Sequence, residues 1–96
     1  MMALDRLPEI FDLLDYHIAA YDRAWRYTYV NAAAARILGH PREALLGRSI
    51  WDLFPEAVGN QYYFEVHEAA SSGRPIHSDH YYAPFDQWFE NHIYPL

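Results

Sequence analysis

Apolar residues recur near the start of the chain at three- and four-residue steps: Leu4, Leu7, Ile10, Phe11 and Leu14. That spacing predicts an amphipathic helix over residues 1–15, with Pro8 tolerable in its first turn. The period then changes. Residues 17–21, HIAAY, are short and apolar and precede the turn-like DRAW, while residues 26–30, RYTYV, are aromatic and β-branched. Together they predict strand, turn, strand, hence a hairpin. Asn31 follows at once, and its side chain suits the orphan N–H groups that open a helix. The next seven residues, AAAARIL, are strong helix formers, and Gly39 stands where a helix ends.

Short helical pieces come next. Pro41 fits the first position of one and Gly47 closes it. Ser49 and Asp52 in SIWD resemble a capping box with Asp in place of Glu, and Pro55 ends that turn. Residues 60–72, NQYYFEVHEAASS, predict the longest helix, stopped by Gly73. PIHSDHYYAP and QWFENHIYPL then read as two strands around PFD, a second hairpin. Strands gather at both ends with helices between them. The expected class is α+β, an antiparallel sheet with short helices on one face and an N-terminal amphipathic helix. Neither repeat nor low-complexity tract interrupts it, so the expectation is one domain over 1–96, with a helix at 1–15 and a core at 16–96.

Composition narrows the function classes. The formal charge is −6 and the few cations are scattered arginines, which argues against a nucleic-acid surface. The chain has no cysteine. A disulfide framework, a zinc–thiolate site, a thiol nucleophile and a thiol–flavin adduct are therefore excluded. The opening MMALDRLPEI lacks a long apolar run and a basic n-region, so no signal peptide or membrane insertion is expected and the cytoplasm is the expected location. The chain is 18% aromatic, with nine tyrosines and three tryptophans. Their polar tips need partners when buried, which suits either a partly polar cavity or a tightly packed aromatic core.

Two stretches, YDRAWRYTYVNAAAARILGHPREALLGRSIWDLFPE (21–56) and SSGRPIHSDHYYAPFDQWFENHIYP (71–95), resemble a PAS domain of the bacterial, histidine-kinase-associated type. In that resemblance Asn31 ends the second strand, and Gly47 and Pro55 mark the short helices. It implies a sensor or signal-relay module and no catalysis, often with a small ligand between sheet and helices. It also implies a homodimer through the N-terminal helix and a covalently linked output domain. PAS domains normally have five strands, the last lying between the first and fourth; by this count the final strand is missing from 1–96. Three arrangements would answer that gap: the first and fourth strands pair directly, a second copy fills the slot, or the slot stays open. The second is the expectation.

Candidate chemistry centres on the second hairpin. Alternation places Ile76, Ser78, His80, Tyr82, Phe89, Asn91 and Ile93 on one face and His77, Asp79, Tyr81, Trp88, Glu90, His92 and Tyr94 on the other. With Ala83 paired to Trp88, His80 would face Asn91 and Asp79 would face His92. The first face is the expected ligand wall, with His80, Asn91, Tyr82, Phe89 and Ile93 on it. Tyr63, Phe54 and Tyr29 or Val30 are further walls. A filled core with one satisfied polar pair is the alternative. On the second face a His77, Asp79, His92 group suits zinc in principle, but the expectation is a cross-strand ion pair and no metal. His67 lies mid-helix, whereas haem-binding relatives place their ligand near the helix start, where this chain has Gln61, Tyr62 and Tyr63; no haem, and no other cofactor, is expected. The alternative of a small α+β enzyme with His80 as base lacks a neighbouring nucleophile, since Ser49, Ser71 and Ser72 sit at helix ends.

Overall fold

The computed structural model describes residues 7–95. The chain forms two compact units, Met1–Pro55 and Glu56–Leu96.

The first unit opens with helix α1, Leu7–Asp12, followed by β1, Ala19–Tyr21, and β2, Tyr27–Val30. The helix ends earlier than its apolar spacing suggests: Leu13 and Leu14 N–H groups turn back to the carbonyls of Ile10 and Phe11 at 3.0 and 3.2 Å, closing a tighter final turn. Leu4 lies outside the described residues. The strands pair antiparallel, Ala19 opposite Val30 and Ala20 opposite Tyr29, with a bulge before Tyr21, which faces Tyr27. Asp22 builds the turn. Its Oδ1 accepts from the N–H groups of Ala24 and Arg26 at 2.9 and 3.0 Å, and its Oδ2 from Arg26 Nε at 2.8 Å. Trp25 takes the left-handed conformation this requires, at φ 61°. The far edge of β2 is covered by the chain at 46–49: Tyr27 N–H donates to the Arg48 carbonyl at 3.0 Å, and Gly47 N–H donates to the Tyr27 carbonyl at 2.8 Å.

Three helices complete the unit: α2, Ala32–Leu38, α3, Arg42–Leu45, and α4, Ile50–Leu53. The alanine run now has a reason. Ala33 and Ala34 are buried, and α2 packs against both α1 and α3, which small side chains permit at close range. Gly39, at φ 74°, ends α2 in a Schellman arrangement, its N–H reaching the Arg36 carbonyl and that of His40 reaching the Ala35 carbonyl, both at 3.3 Å. Tyr27, Val30, Leu45, Ile50 and Phe54 are the larger buried residues.

Asn31 does far more than cap. It is fully buried. Its Oδ1 accepts from the N–H groups of Ala34 at 2.9 Å and Ile18 at 3.0 Å, while its Nδ2 donates to the carbonyls of Phe11 at 3.0 Å and Tyr16 at 2.6 Å. One side chain thus opens α2, closes the β1 ladder and holds the end of α1. Beside it, Asp12 Oδ1 accepts from Ala32 N–H at 3.0 Å and from the Arg42 guanidinium at 2.8 Å.

A 3₁₀ turn at Pro55–Ala57 spans the boundary, and the second unit continues through α5, Gln61–Ser72, β3, Ile76–Tyr82, a 3₁₀ turn at Ala83–Phe85 and β4, Gln87–Ile93. α5 packs on both strands, with Val66 and Ala69 buried. The architecture is α+β, as expected, but each hairpin forms its own two-stranded antiparallel sheet. The second hairpin also differs in register. His80 faces Phe89 and Ser78 faces Asn91, two residues away from the expected alignment. The turn sets this. Pro84 stands at the start of the 3₁₀ turn, Asp86 adopts a left-handed conformation at φ 49°, and its N–H returns to the Ala83 carbonyl at 3.0 Å, so the loop takes 83–86 and Tyr82 pairs with Gln87. A shift of two leaves every residue on its expected face. Ile76, Ser78, His80, Tyr82, Phe89, Asn91 and Ile93 are all buried or half-buried, and the alternate set is exposed.

Candidate functional site

The inner face of the second hairpin gathers its polar groups around the start of α5. Asn60 caps that helix, its Oδ1 accepting from Tyr63 N–H at 2.9 Å. That bond fixes the amide orientation, so Nδ2 is the atom aimed at His80 Nε2, 3.4 Å away. An amide nitrogen only donates. In a hydrogen bond across that distance Asn60 donates and His80 Nε2 accepts. His80 itself is buried, so the sequence reading of an inward polar group on this strand holds.

Three more bonds tie the neighbouring chain to β3. Tyr82, also buried, donates its hydroxyl to Glu56 Oε1 at 2.5 Å. That donation, before all else, holds the Glu56 carboxyl below the usual carboxylate range. Gln61 Nε2 donates to the Asp79 carbonyl at 2.9 Å. Ser78 donates its hydroxyl to Glu65. Across the ladder from Ser78 stands Asn91, whose Nδ2 is buried with no hydrogen-bond partner in the structure. A buried donor left in this state costs free energy until something accepts from it.

The candidate residues divide as follows. His80 and Phe89 are direct cross-strand neighbours, Ile93 pairs with Ile76, and Tyr82 pairs with Gln87. His80 and Asn91 share the face but are diagonal, not opposite, because of the register. Tyr63 lies in the first turn of α5 with its ring 4.2 Å from that of His67. His67 Nδ1 donates to the Tyr63 carbonyl at 2.7 Å, one helical turn back. Phe54 belongs to the first unit, where it is buried with the His40 ring edge-on at 6.1 Å. Val30 is buried in that same unit, and Tyr29 meets Phe11 there edge-on at 5.9 Å. The expected Asp79–His92 ion pair does not form. Asp79 faces Glu90, and His92 Nε2 lies 3.1 Å from Glu90 Oε1 on its own strand.

Sequence reasoning missed Asn60, Glu56 and Glu65 as partners of this face. Asn60 had a usable signal, since it precedes α5 as Asn31 precedes α2. The two glutamates had none, because their roles depend on which strand positions lie beside them.

A family model described as the PAS fold matches residues 11–96. The chain belongs to the PAS fold family. The match runs through both units, from α1 to the end of β4, so the arrangement of hairpin, short helices, longer helix and hairpin is the PAS order. No curated protein matches the chain. PAS domains are signal-sensing modules, and membership therefore fits a sensory role over a catalytic one. Among the described residues of this PAS domain, no helix is long and apolar enough to cross a membrane.

Proposed function

We propose that this PAS domain senses a small molecule bound against the inner face of its second hairpin. The observation that carries the reading is the buried Asn91 Nδ2 without a partner. It lies on the same face as His80, Tyr82, Phe89 and Ile93, and that face mixes aromatic surface with a few placed polar groups, as ligand sites do. The ligand would offer an acceptor to Asn91 and stack against Phe89. Tyr63, on α5 of the same unit, remains a proposed further wall. No metal or cofactor is assigned to this face, and neither haem nor flavin is part of the proposal.

Signalling would proceed by population shift, the ligand favouring one arrangement of a homodimer formed through the N-terminal helix. The output would be a covalently linked domain in a cytoplasmic bacterial signalling protein, a histidine kinase or a cyclic-dinucleotide enzyme. Residues 1–96 would serve as one sensory domain, as the span of the family match supports. A module used only for dimerisation and relay is the second reading, and it is favoured by the bonds that already satisfy Tyr82, Ser78 and His80.

A thermal-shift panel of small molecules bearing hydrogen-bond acceptors tests the choice. Some members should raise the melting temperature of the wild type and leave that of Asn91→Leu unmoved. If every stabilising compound acts equally on both proteins, Asn91 is not the ligand contact and the relay reading stands.

A further inference from the structure

The outer face of the second hairpin carries a two-by-two block of potential metal ligands. His77 stands directly opposite His92, and Asp79 directly opposite Glu90. Alternation puts all four on one face, and all four are exposed. The register makes this block, because the alignment expected from the sequence would have placed His92 opposite Asp79.

We propose that this block binds one zinc-class divalent cation, with His77, His92 and Glu90 as ligands and Asp79 as the fourth donor or its charge partner. The two imidazole centroids are 4.4 Å apart. Two imidazoles on one tetrahedral zinc, with bonds of about 2.0–2.1 Å, hold their centroids about 5 Å apart, close to the separation found here. His92 Nε2 and Glu90 Oε1 are 3.1 Å apart. Two ligand atoms on such a zinc are separated by about 3.3 Å, close to that distance. Among the described residues the side chains as placed bring no three ligands to a single point. Convergence needs rotamer changes of exposed side chains, which take picoseconds to nanoseconds.

Charge favours the occupant. Asp79 and Glu90 are like charges directly opposite one another, a destabilising pair that a cation relieves. The chain as a whole carries a formal charge of −6. Imidazole and carboxylate without thiolate suit zinc, with nickel and copper as chemical relatives. His77 is also steadied by Tyr94, whose ring meets it edge-on at 5.8 Å. A bound cation would clamp β3 to β4 and stabilise the hairpin by mass action.

Calorimetric titration of the tag-free protein with zinc chloride tests this site. One zinc per chain is expected, with affinity at least tenfold weaker in His77→Ala and in His92→Ala, and several-fold weaker in Glu90→Gln. His40→Ala, on the first unit, serves as control and should bind as the wild type does. The hairpin substitutions are all at exposed positions, and a melting curve for each checks that it folds. No zinc binding, unchanged affinity in His77→Ala, or an equal loss in His40→Ala would overturn the site. One zinc per two chains with a doubled mass by light scattering would move it from the single hairpin to a contact between copies, and would overturn it as stated.

Discussion

Asn31 bonds four backbone groups at once, and its spacing hinted at only part of that. The sequence places a good N-cap between a strand and a helix, and the bond to Ala34 N–H is that cap. The bonds to Ile18, Phe11 and Tyr16 join residues 13 to 20 positions away. No local pattern encodes partners at that distance. A lost cap alone costs typically ~1 kcal/mol. Removing a buried amide with four bonds strands several backbone groups, each costing roughly 1–3 kcal/mol when unsatisfied. Asn31→Ala should therefore lower the unfolding free energy by about 3 kcal/mol in urea titrations. A loss of 1 kcal/mol or less would mean that water replaces the distant bonds. A second residue-scale prediction concerns Glu56. Tyr82 depresses its pKa in the folded state, so the unfolded state binds more protons between the two values. The contribution is fully present above the unfolded pKa and is lost as pH falls through the folded one. Tyr82→Phe should consequently cost stability at pH 7 and cost less at pH 3. A penalty that does not change with pH would contradict the coupling.

At the scale of elements, the second hairpin shows what alternation can and cannot tell. A strand's side chains repeat every two residues, so the face assignment survives an even shift in register. Every inner and outer residue is where the pattern put it, whereas the cross-strand pairs are not. The pairs depend on the turn, and the turn depends on Asp86 accepting a left-handed backbone at φ 49°. Tyr81 donates its hydroxyl to Asp86, an additional tie that no composition rule supplies. Asp86→Ala should cost about 1–2 kcal/mol, because alanine is strained in that conformation. Asp86→Gly should recover most of the loss by equilibrium unfolding, and if glycine is as damaging as alanine the side-chain bond, not the backbone, sets the turn. Helix α1 gives the complementary lesson. Its apolar spacing was legible, but its end was not, because Asn31 and Asp12 hold the chain at residues 11–12 through bonds from outside the helix.

For the whole molecule, the order of elements was legible because each change of period is marked by a cap, a glycine or a proline. The cross-strand partners within the second hairpin were not, since the turn at 83–86 sets them. The candidate site was legible to the same degree: the inward face and His80 were visible, while Asn60, Glu56 and Glu65 were set by packing. Self-association belongs at this scale. Phe11 lies against Tyr29 within its own unit, so the proposed dimer surface is better probed by Leu7→Ser together with Leu14→Ser, Leu14 being exposed. Light scattering should report monomers for this pair of changes, and an unaltered dimer would move the interface elsewhere. The central claim, that a small molecule occupies the inner face of the second hairpin, is tested most directly by native mass spectrometry of freshly purified protein. The predicted spectrum shows the folded chain with an additional non-covalent mass that disappears on denaturation. A folded protein carrying only the mass of its polypeptide would contradict it.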